Sequence, residues 1–192
     1  METERLSLSG LLLVKPRVYR DPRGMFVETY QAERYRGAGI DCSFVQDNYS
    51  RSSEGTLRGL HYQSSPGQAK LVCVSEGSIF DVVVDIRPES PTFGRWDAVV
   101  LDGEKHWQLF VPVGFAHGFC VLSATAAVMY KVSSPYNAAT ECAIAYDDPT
   151  LGVKWPTADP VLSDRDRTAE SFSEYAKRAM ILRRSSGSVR AP

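Results

Sequence analysis

The stretch SIFDVVVDIR, residues 78–87, carries the pattern that decides the fold. Successive side chains of an extended strand point to opposite faces, so the residues from Phe80 to Ile86 that share one face are all apolar. Asp81 and Asp85 lie on the other face, where burial without partners is costly. This face therefore lines either the polar interior of a barrel or a solvated outer surface, and the pattern leaves both interpretations open.

Outside this stretch, short β-rich runs alternate with Gly, Pro, Asn and Asp, as is typical of an antiparallel sandwich or barrel. Helical signal is weak and falls in residues 31–36 and 166–182. We therefore predict an all-β fold with a few short helices, mainly C-terminal, in one domain over residues 1–180. The polar tail, residues 181–192, is predicted to be disordered. The predicted strands span residues 43–46, 69–74, 78–86, 96–101, 107–111, 118–122 and 126–132.

The composition argues against several classes of protein. The chain has 192 residues and a formal net charge of -1, so no overall basic field draws it to nucleic acid or anionic lipid. The first residues, METERLSLSGLLLVKP, lack the basic flank and the length of a signal peptide, and no later stretch is long enough to span a membrane. We expect a cytoplasmic protein. The four cysteines, without a CxxC pair, are interpreted as free thiols rather than a disulfide framework.

Two of the three histidines fall in distinctive strings: His61 in RGLHYQ and His117 in PVGFAHGF. The pattern PxGxxH after a strand resembles the second motif of the cupin barrel family. Metal-binding cupins carry HxH in their first motif, but Gln63 stands two residues after His61. We therefore predict no metal and no other cofactor. His106, next to Trp107 in a predicted turn, is interpreted as a surface residue.

Ten strings, in order along the chain, resemble the dTDP-4-dehydrorhamnose 3,5-epimerase family. The resemblance implies a cupin-like jelly roll that forms a homodimer with an exchanged N-terminal strand. It implies a substrate, dTDP-4-dehydro-6-deoxy-D-glucose, whose C4 ketone acidifies the protons on C3 and C5. The strings are DPRGMFVE (21–28), FVQDN (44–48), RGLHYQ (58–63), GQAKLV (67–72), FDVVVDIR (80–87), SPTFGRW (90–96), VPVGFAHGF (111–119), YKVSSPYN (130–137), DPTLGVKWP (148–156) and LSDRD (162–166).

The resemblance also implies the catalytic roles. His61 matches the base, Tyr130 the acid on the opposite face of the sugar, and Asp166 the carboxylate that orients the imidazole. Lys70 matches the cation near the enolate oxygen, and Asp81 matches a buried acid of the same pocket that supports Lys70 indirectly. Without the surrounding strings, a core histidine and a sheet tyrosine are the simpler interpretations.

Substrate binding is implied for a larger set. Arg58 and Arg23 match contacts to the diphosphate and sugar, and Tyr136 matches an aromatic ring that stacks on thymine. Arg23 and Glu28 come from the exchanged strand of the other subunit. The remaining matched positions are Phe26, Gln46, Asp47, Asn48, His117, Glu141 and Arg165.

Three departures bear on the identity of the substrate. Tyr49 stands where many relatives have histidine, Pro135 interrupts a tyrosine pair, and Arg165 replaces a lysine. The leading hypothesis is epimerisation at both C3 and C5, feeding L-rhamnose synthesis. Alternatives are a single-centre (3- or 5-) epimerase of a deoxysugar pathway and, from another class, a non-catalytic cupin that binds sugar nucleotides. A metal-dependent cupin enzyme is disfavoured by Gln63.

Overall fold

A computed structural model describes residues 1–187 and, for residues 182–187, the secondary structure alone. Over these described residues, the fold has thirteen strands and three helices. The strands are β1 (Glu2–Arg5), β2 (Leu12–Lys15), β3 (Val18–Asp21), β4 (Gly24–Val27), β5 (Gln46–Ser53), β6 (Leu57–Gln63), β7 (Lys70–Glu76), β8 (Ser78–Asp85), β9 (Trp96–Asp102), β10 (Gln108–Val111), β11 (Phe115–Val121), β12 (Thr125–Val132) and β13 (Glu141–Ala143); the helices are α1 (Ala32–Gly37), α2 (Asp164–Arg167) and α3 (Phe172–Gly187).

The strands form two large sheets and a separate hairpin. One sheet has six strands in the order β1-β2-β10-β7-β12-β5, the other has five in the order β13-β6-β11-β8-β9, and β3 pairs only with β4. Every pairing between these strands is antiparallel. The predicted all-β, cupin-like fold with few helices is confirmed.

Two apolar clusters explain why β8 is buried on both faces. Ile79 and Val83 join the cluster between the two large sheets. Val82 and Val84 join a second cluster, which includes Tyr175 of α3 and covers the outside of the five-stranded sheet. Each fully buried aliphatic side chain of this kind contributes about 1.5–3 kcal/mol to stability.

The acids of β8 therefore lie inside the fold, and the barrel-interior interpretation is the one that holds: Asp81 and Asp85 are 0% exposed. Asp85 accepts hydrogen bonds from the side chains of Arg87 (2.8 and 2.7 Å), Ser90 (2.5 Å) and Thr92 (2.6 Å). Burial by itself raises the pKa of Asp85, but these hydrogen bonds lower it to about 2. The partners offset the cost of burying this charge.

Some boundaries and one residue differ from the prediction. The run at 43–46 is not a strand; β5 begins at Gln46 and continues through a polar segment. The helical segment at 166–182 is two helices, α2 and α3, and α3 reaches Gly187 within the tail that was predicted to be disordered; residues 188–192 lie outside the described residues. The surface interpretation of His106 is wrong: it is 4% exposed. Its backbone is left-handed (φ 53°), and its N–H donates to the Asp102 carbonyl, which folds the turn onto the protein.

A close backbone approach shapes the five-stranded sheet. A Cβ at Gly59, where φ is +135°, would lie 2.4 Å from the Gly118 Cα, so only glycine fits here. The pairing of β6 with β11 shifts register in the same region, between His117 and Phe119. This irregularity lies next to the strand segment that carries His61. Within residues 1–187, no helix has both the length and the apolar character needed to cross a membrane.

Candidate active site

A cavity of about 430 Å³ lies between the two large sheets. Its side chains come from both walls, and most of them are polar, although Phe119 and Val128 of the interior apolar cluster also contribute. The five-stranded sheet provides Arg58, His61, His117, Phe119 and Glu141, and the six-stranded sheet provides Gln46, Asn48, Ser50, Lys70, Val128 and Tyr130; Gln68 and Tyr136 complete the lining.

His61 of β6 is held by a buried carboxylate. Its Nε2 lies 2.6 Å from Asp166 Oδ1. The other carboxylate oxygen, Oδ2, accepts a 2.7 Å hydrogen bond from the Ser163 hydroxyl. Burial by itself raises the pKa of Asp166, but the hydrogen bonds from His61 and Ser163 outweigh it and lower the pKa below the ordinary value. Asp166 is therefore ionised at neutral pH, and Nδ1 is the imidazole nitrogen left to accept a proton.

Local sequence explains how Asp166 reaches His61, 105 residues earlier in the chain. Val161 forms an isolated bridge with Thr56, and its carbonyl accepts from the Leu57 N–H at 3.0 Å, at the start of β6. Ser163 then caps α2, whose third residue is Asp166. The segment before α2 is thus tethered to the strand that carries the histidine.

Tyr130 lies on the opposite wall. It is part of β12 in the six-stranded sheet, paired with Asn48 of β5 and Val72 of β7. Burial raises the pKa of its hydroxyl, and the positive charge of Arg58 only partly offsets this. The phenol therefore keeps its proton at neutral pH and faces the cavity as a proton donor.

Lys70, at the start of β7, extends toward His61. Its Nζ lies 3.5 Å from the backbone carbonyl oxygen of His61 in the other sheet. Burial lowers the pKa of this ammonium group to about 8, although the carboxylates of Glu141 and Asp81 act in the opposite direction. At neutral pH the cavity therefore contains one partly desolvated cation beside the base, the arrangement that stabilises a developing oxyanion.

A second histidine–aspartate pair lies next to the first. His117 on β11 is the cross-strand partner of His61, and its Nε2 lies 2.8 Å from Asp81 Oδ1. Asp81, which the resemblance implies as an indirect partner of Lys70, hydrogen-bonds His117 directly and acts on Lys70 through its charge.

The exposed edge of the cavity carries a charged cluster. Arg165 donates to Glu141 at 2.5 Å. The Glu141 carboxyl has a lowered pKa because the hydrogen bonds from Arg165 and Tyr136 outweigh the effect of its burial. Gln46 accepts from the Tyr136 backbone N–H at 3.2 Å and donates to Asn48 at 2.8 Å. These contacts bring together five of the predicted binding residues.

Four predicted binding residues are not brought to this cavity within the chain. Asp47 alternates with Gln46 and Asn48, so it points to the outer face of β5, where it pairs with Lys131 at 2.9 Å. The other three lie on or beside the separate hairpin. There Arg23 pairs with Asp21 (2.5 Å), Glu28 pairs with Arg34 (2.6 Å), and Phe26 is 68% exposed.

The structure also shows where the three departures from the family pattern lie relative to the cavity. Tyr49 is 63% exposed on the outer face of β5, so it lies away from the cavity it was expected to influence. The Pro135 carbonyl accepts from Gln63 at 3.4 Å, directly before Tyr136, and Arg165 is the partner of Glu141. Two of the three departures are thus at the edge of the cavity.

Sequence reasoning missed four residues that line the cavity: Ser50, Gln68, Phe119 and Val128. Ser50 could have been found by continuing the alternation from Gln46 and Asn48 along the strand. Gln68 and Phe119 lie within strings that carried the resemblance, but nothing in the strings marks them as cavity residues. Among the side chains described, those of residues 1–181, no group of three or more His, Cys, Asp or Glu residues is arranged to hold a metal ion.

The geometry suits proton transfer on two sides of a bound molecule. A carboxylate-paired imidazole on one wall can remove a proton, and a protonated phenol on the other wall can return one. Between them, an ammonium group can stabilise negative charge on an oxygen. This set can invert a carbon centre next to a carbonyl group without a cofactor.

The comparisons with known proteins agree with this chemistry. The family model of dTDP-4-dehydrorhamnose 3,5-epimerase matches residues 5–174. A relative of that name from Neisseria gonorrhoeae is 44% identical over 175 residues, which cover 91% of this chain and 53% of that protein. The chain thus spans about half the length of this relative.

Two solved structures are similar along most of their length. One is dTDP-6-deoxy-D-glucose-3,5-epimerase from Legionella pneumophila in complex with dTDP-4-keto-L-rhamnose, 47% identical with a TM-score of 0.87, over 90% of this chain and 93% of that chain. The other is ChmJ, a 3′-monoepimerase from Streptomyces bikiniensis in complex with dTDP-quinovose, 38% identical with a TM-score of 0.85, over 92% of this chain and 90% of that chain. The chain belongs to the dTDP-4-dehydrorhamnose 3,5-epimerase family of isomerases.

Proposed function

We propose that the protein converts dTDP-4-dehydro-6-deoxy-D-glucose to dTDP-4-dehydro-L-rhamnose by inverting C3 and C5. The observation that carries this proposal is the placement of the His61–Asp166 pair and Tyr130 on opposite walls of one cavity, with Lys70 beside the histidine. Inversion needs removal of a proton from one face of the sugar ring and return of a proton to the other. Family membership supplies the substrate class.

Each inversion proceeds in two proton transfers. His61 takes the proton from C3 or C5, the electrons of the C–H bond form a C=C bond to C4, and the carbonyl pair moves to O4. Lys70 stabilises the resulting enolate oxygen, since its ammonium group is already oriented and largely desolvated. Tyr130 then donates its proton to the carbon from the other wall, and the C4 carbonyl re-forms. Both groups return to their starting states by exchange with solvent.

The nucleotide is assigned to the polar edge of the cavity. Arg58 lines the cavity, and its Nε donates to the Ser52 hydroxyl at 3.2 Å. Among the described residues its guanidinium group pairs with no carboxylate, so its charge is available for a diphosphate. Tyr136 is half-exposed at the edge, where its ring can stack on thymine. His117, Gln46 and the other polar lining groups are assigned to the sugar and ribose.

The hairpin of β3 and β4 is assigned to a second subunit. It pairs with neither large sheet and exposes Tyr19, Met25 and Phe26. A homodimer in which each hairpin crosses to the other subunit would cover these side chains and carry Arg23 to the partner's cavity. The particle mass in solution, measured for the wild type and for Phe26→Ser, tests this assignment. A cytoplasmic location stays a prediction from the sequence.

A second candidate function is epimerisation at C3 alone. The similarity to ChmJ, a 3′-monoepimerase, favours it. The two functions share the same base, acid and cation, so the catalytic residues do not separate them.

The deciding experiment follows the C3 and C5 protons of dTDP-4-dehydro-6-deoxyglucose by NMR in heavy water. Loss of both signals, with formation of the L-rhamno product, supports the double epimerase. Loss of the C3 signal alone supports the second candidate. If neither signal is lost faster than in the protein-free control, both candidate functions are refuted. His61→Asn is the control that removes the base.

A further inference from the structure

Two helices of the chain begin in the same way. Ser163 and Ser171 each precede by three residues an acid, Asp166 or Glu174, and each serine hydroxyl donates to that acid, at 2.7 and 2.8 Å. Each serine oxygen also accepts from the backbone N–H of the acid, at 3.2 and 3.3 Å. One hydroxyl with one proton and two lone pairs can make both bonds. The pairs are therefore matched capping motifs.

The two pairs differ in what the carboxylate does next. Glu174 is exposed, and its Oε2 accepts from the backbone N–H and the hydroxyl of Ser171. Asp166 is buried and uses its two oxygens separately: Oδ2 receives the Ser163 hydroxyl and Oδ1 contacts His61 Nε2. The Gly59 backbone N–H also donates to this carboxylate, as the smallest of the contributions that lower its pKa. A carboxylate bound through one oxygen rotates easily about its terminal torsion, whereas one bound through both oxygens does not.

We propose that Ser163 is a positioning residue of the epimerase, whose hydroxyl fixes the plane of the Asp166 carboxylate so that Oδ1 faces His61. The inference rests on the proposed function, because it takes His61 as the base. Ser163 does not line the cavity, so it acts on the reaction only through Asp166. Ser163 is the N-cap of α2, a helix of four residues, and the turn of this helix brings Asp166 back over the serine.

Ser163→Ala removes the hydroxyl while leaving the cavity lining intact. We expect kcat for proton exchange at C3 to fall by about 10-fold, at the low end of the losses seen when a supporting hydrogen-bond partner is removed. KM should stay within about 2-fold, because no substrate contact is lost. Ser163→Thr keeps the hydroxyl and should restore kcat to within about 3-fold of the wild type.

Ser171→Ala is the matched control, since it deletes the same pair of hydrogen bonds at the start of α3. Both alanine variants lose a cap and should show similar decreases in the unfolding midpoint. Only Ser163→Ala should lose activity. If both variants lose activity equally, or if Ser163→Ala keeps the wild-type kcat, the positioning role is refuted.

A double-mutant cycle with Asp166→Asn separates positioning from general support of the fold. If Ser163 acts through Asp166, adding Ser163→Ala to Asp166→Asn lowers the residual exchange rate by less than about 2-fold. If the serine merely stabilises the fold, the full 10-fold loss appears in both backgrounds, which overturns the inference. Wild-type exchange in the same assay tests the proposed function independently, so its failure is distinguishable from failure of the positioning role.

Discussion

Replacing Tyr130 by phenylalanine should uncouple proton removal from inversion. The ring packs against the apolar cluster between the sheets, and phenylalanine keeps that packing. We therefore expect the free energy of unfolding to fall by about 1 kcal/mol or less, the usual contribution of one hydroxyl. Loss of a general acid costs about 10²–10⁴-fold in rate, or about 3–5 kcal/mol at 1.36 kcal/mol per tenfold. Tyr130→Phe should therefore raise the barrier to inversion by more than it lowers the free energy of unfolding.

The assay for Tyr130→Phe measures two rates in one heavy-water experiment: deuterium entry at C3 of the recovered substrate, and formation of inverted product. His61 on the other wall still removes the proton and can return deuterium to the same face. Exchange should therefore persist within about 10-fold of the wild type while product formation falls by about 10²–10⁴-fold. Tyr49→Phe removes a phenol from the outer face and is the control.

Equal losses of exchange and inversion in Tyr130→Phe would refute the assignment of separate roles to the two walls. Inversion at the wild-type rate would refute the role of Tyr130 as acid. Deuterium entry in His61→Asn at the rate of Tyr130→Phe would show that another group removes the proton.

The structure leads to three further predictions. Because burial lowers the pKa of Lys70 to about 8, its charge is lost as pH rises through that value, and kcat should fall between about pH 7 and 9; a flat profile there contradicts its role. Gly59→Ala places a Cβ 2.4 Å from the Gly118 Cα and should lower the free energy of unfolding by about 2–5 kcal/mol. Gly24→Ala is the control for backbone strain alone, because Gly24 has φ +127° but no neighbour within 4 Å of the added Cβ. If thermal unfolding shows the same loss of stability for both variants, the steric clash at Gly59 is contradicted. The pKa of Asp85 is depressed from 3.8 to about 2, so its contribution of about 2 kcal/mol to the free energy of unfolding is present above pH 4 and disappears as pH falls to 2. In denaturant titrations at a series of pH values, Asp85→Asn should lose this pH dependence of stability. A variant whose stability changes with pH as the wild type's does contradicts the prediction.

Strand β8 shows what a sequence pattern can and cannot predict. Alternation in β8 correctly separated an apolar face from an acidic one, but it could not show which face met solvent. The answer depended on α3 and its neighbours, which cover the apolar face from the outside. Both faces of β8 are buried, so the acids had to find polar partners inside the barrel. Whether a face of β8 is exposed therefore depends on tertiary packing, which a local sequence pattern does not show.

The polar strand β5 was missed for a related reason. Gln46, Asn48 and Ser50 face the cavity, while the alternate residues face outward and are exposed. A strand that is polar on both faces has no hydrophobic period of two to detect. Strands that line a polar binding cavity are therefore the ones that hydrophobic patterning overlooks, and here the resemblance to a family marked the positions that the pattern did not.

Individual site residues could be assigned from motifs, but only one of the two histidine–aspartate pairings could be. The pair of His61 with Asp166 was anticipated and is present, whereas the pair of Asp81 with His117 was not. Both contacts join residues far apart in the chain, and the second depends on the register of β11 against β8, which places Phe119 opposite Asp81 and His117 two residues away along the strand. Register is set by the whole sheet and cannot be inferred from one string.

The two-sheet architecture itself accounts for the assignment of inversion rather than simple proton exchange. A single wall carrying both base and acid would return a proton to the face from which it came. Here His61 is fixed to one sheet and Tyr130 to the other, and Lys70 spans the gap from the tyrosine's sheet to the backbone of the histidine. The cavity of about 430 Å³ between the facing sheets leaves room for a pyranose ring. The base is further tied to α2 through Asp166, so its approach to the ring is fixed by elements outside both sheets. A substrate held between these walls therefore meets the His61 imidazole and the Tyr130 phenol from opposite sides.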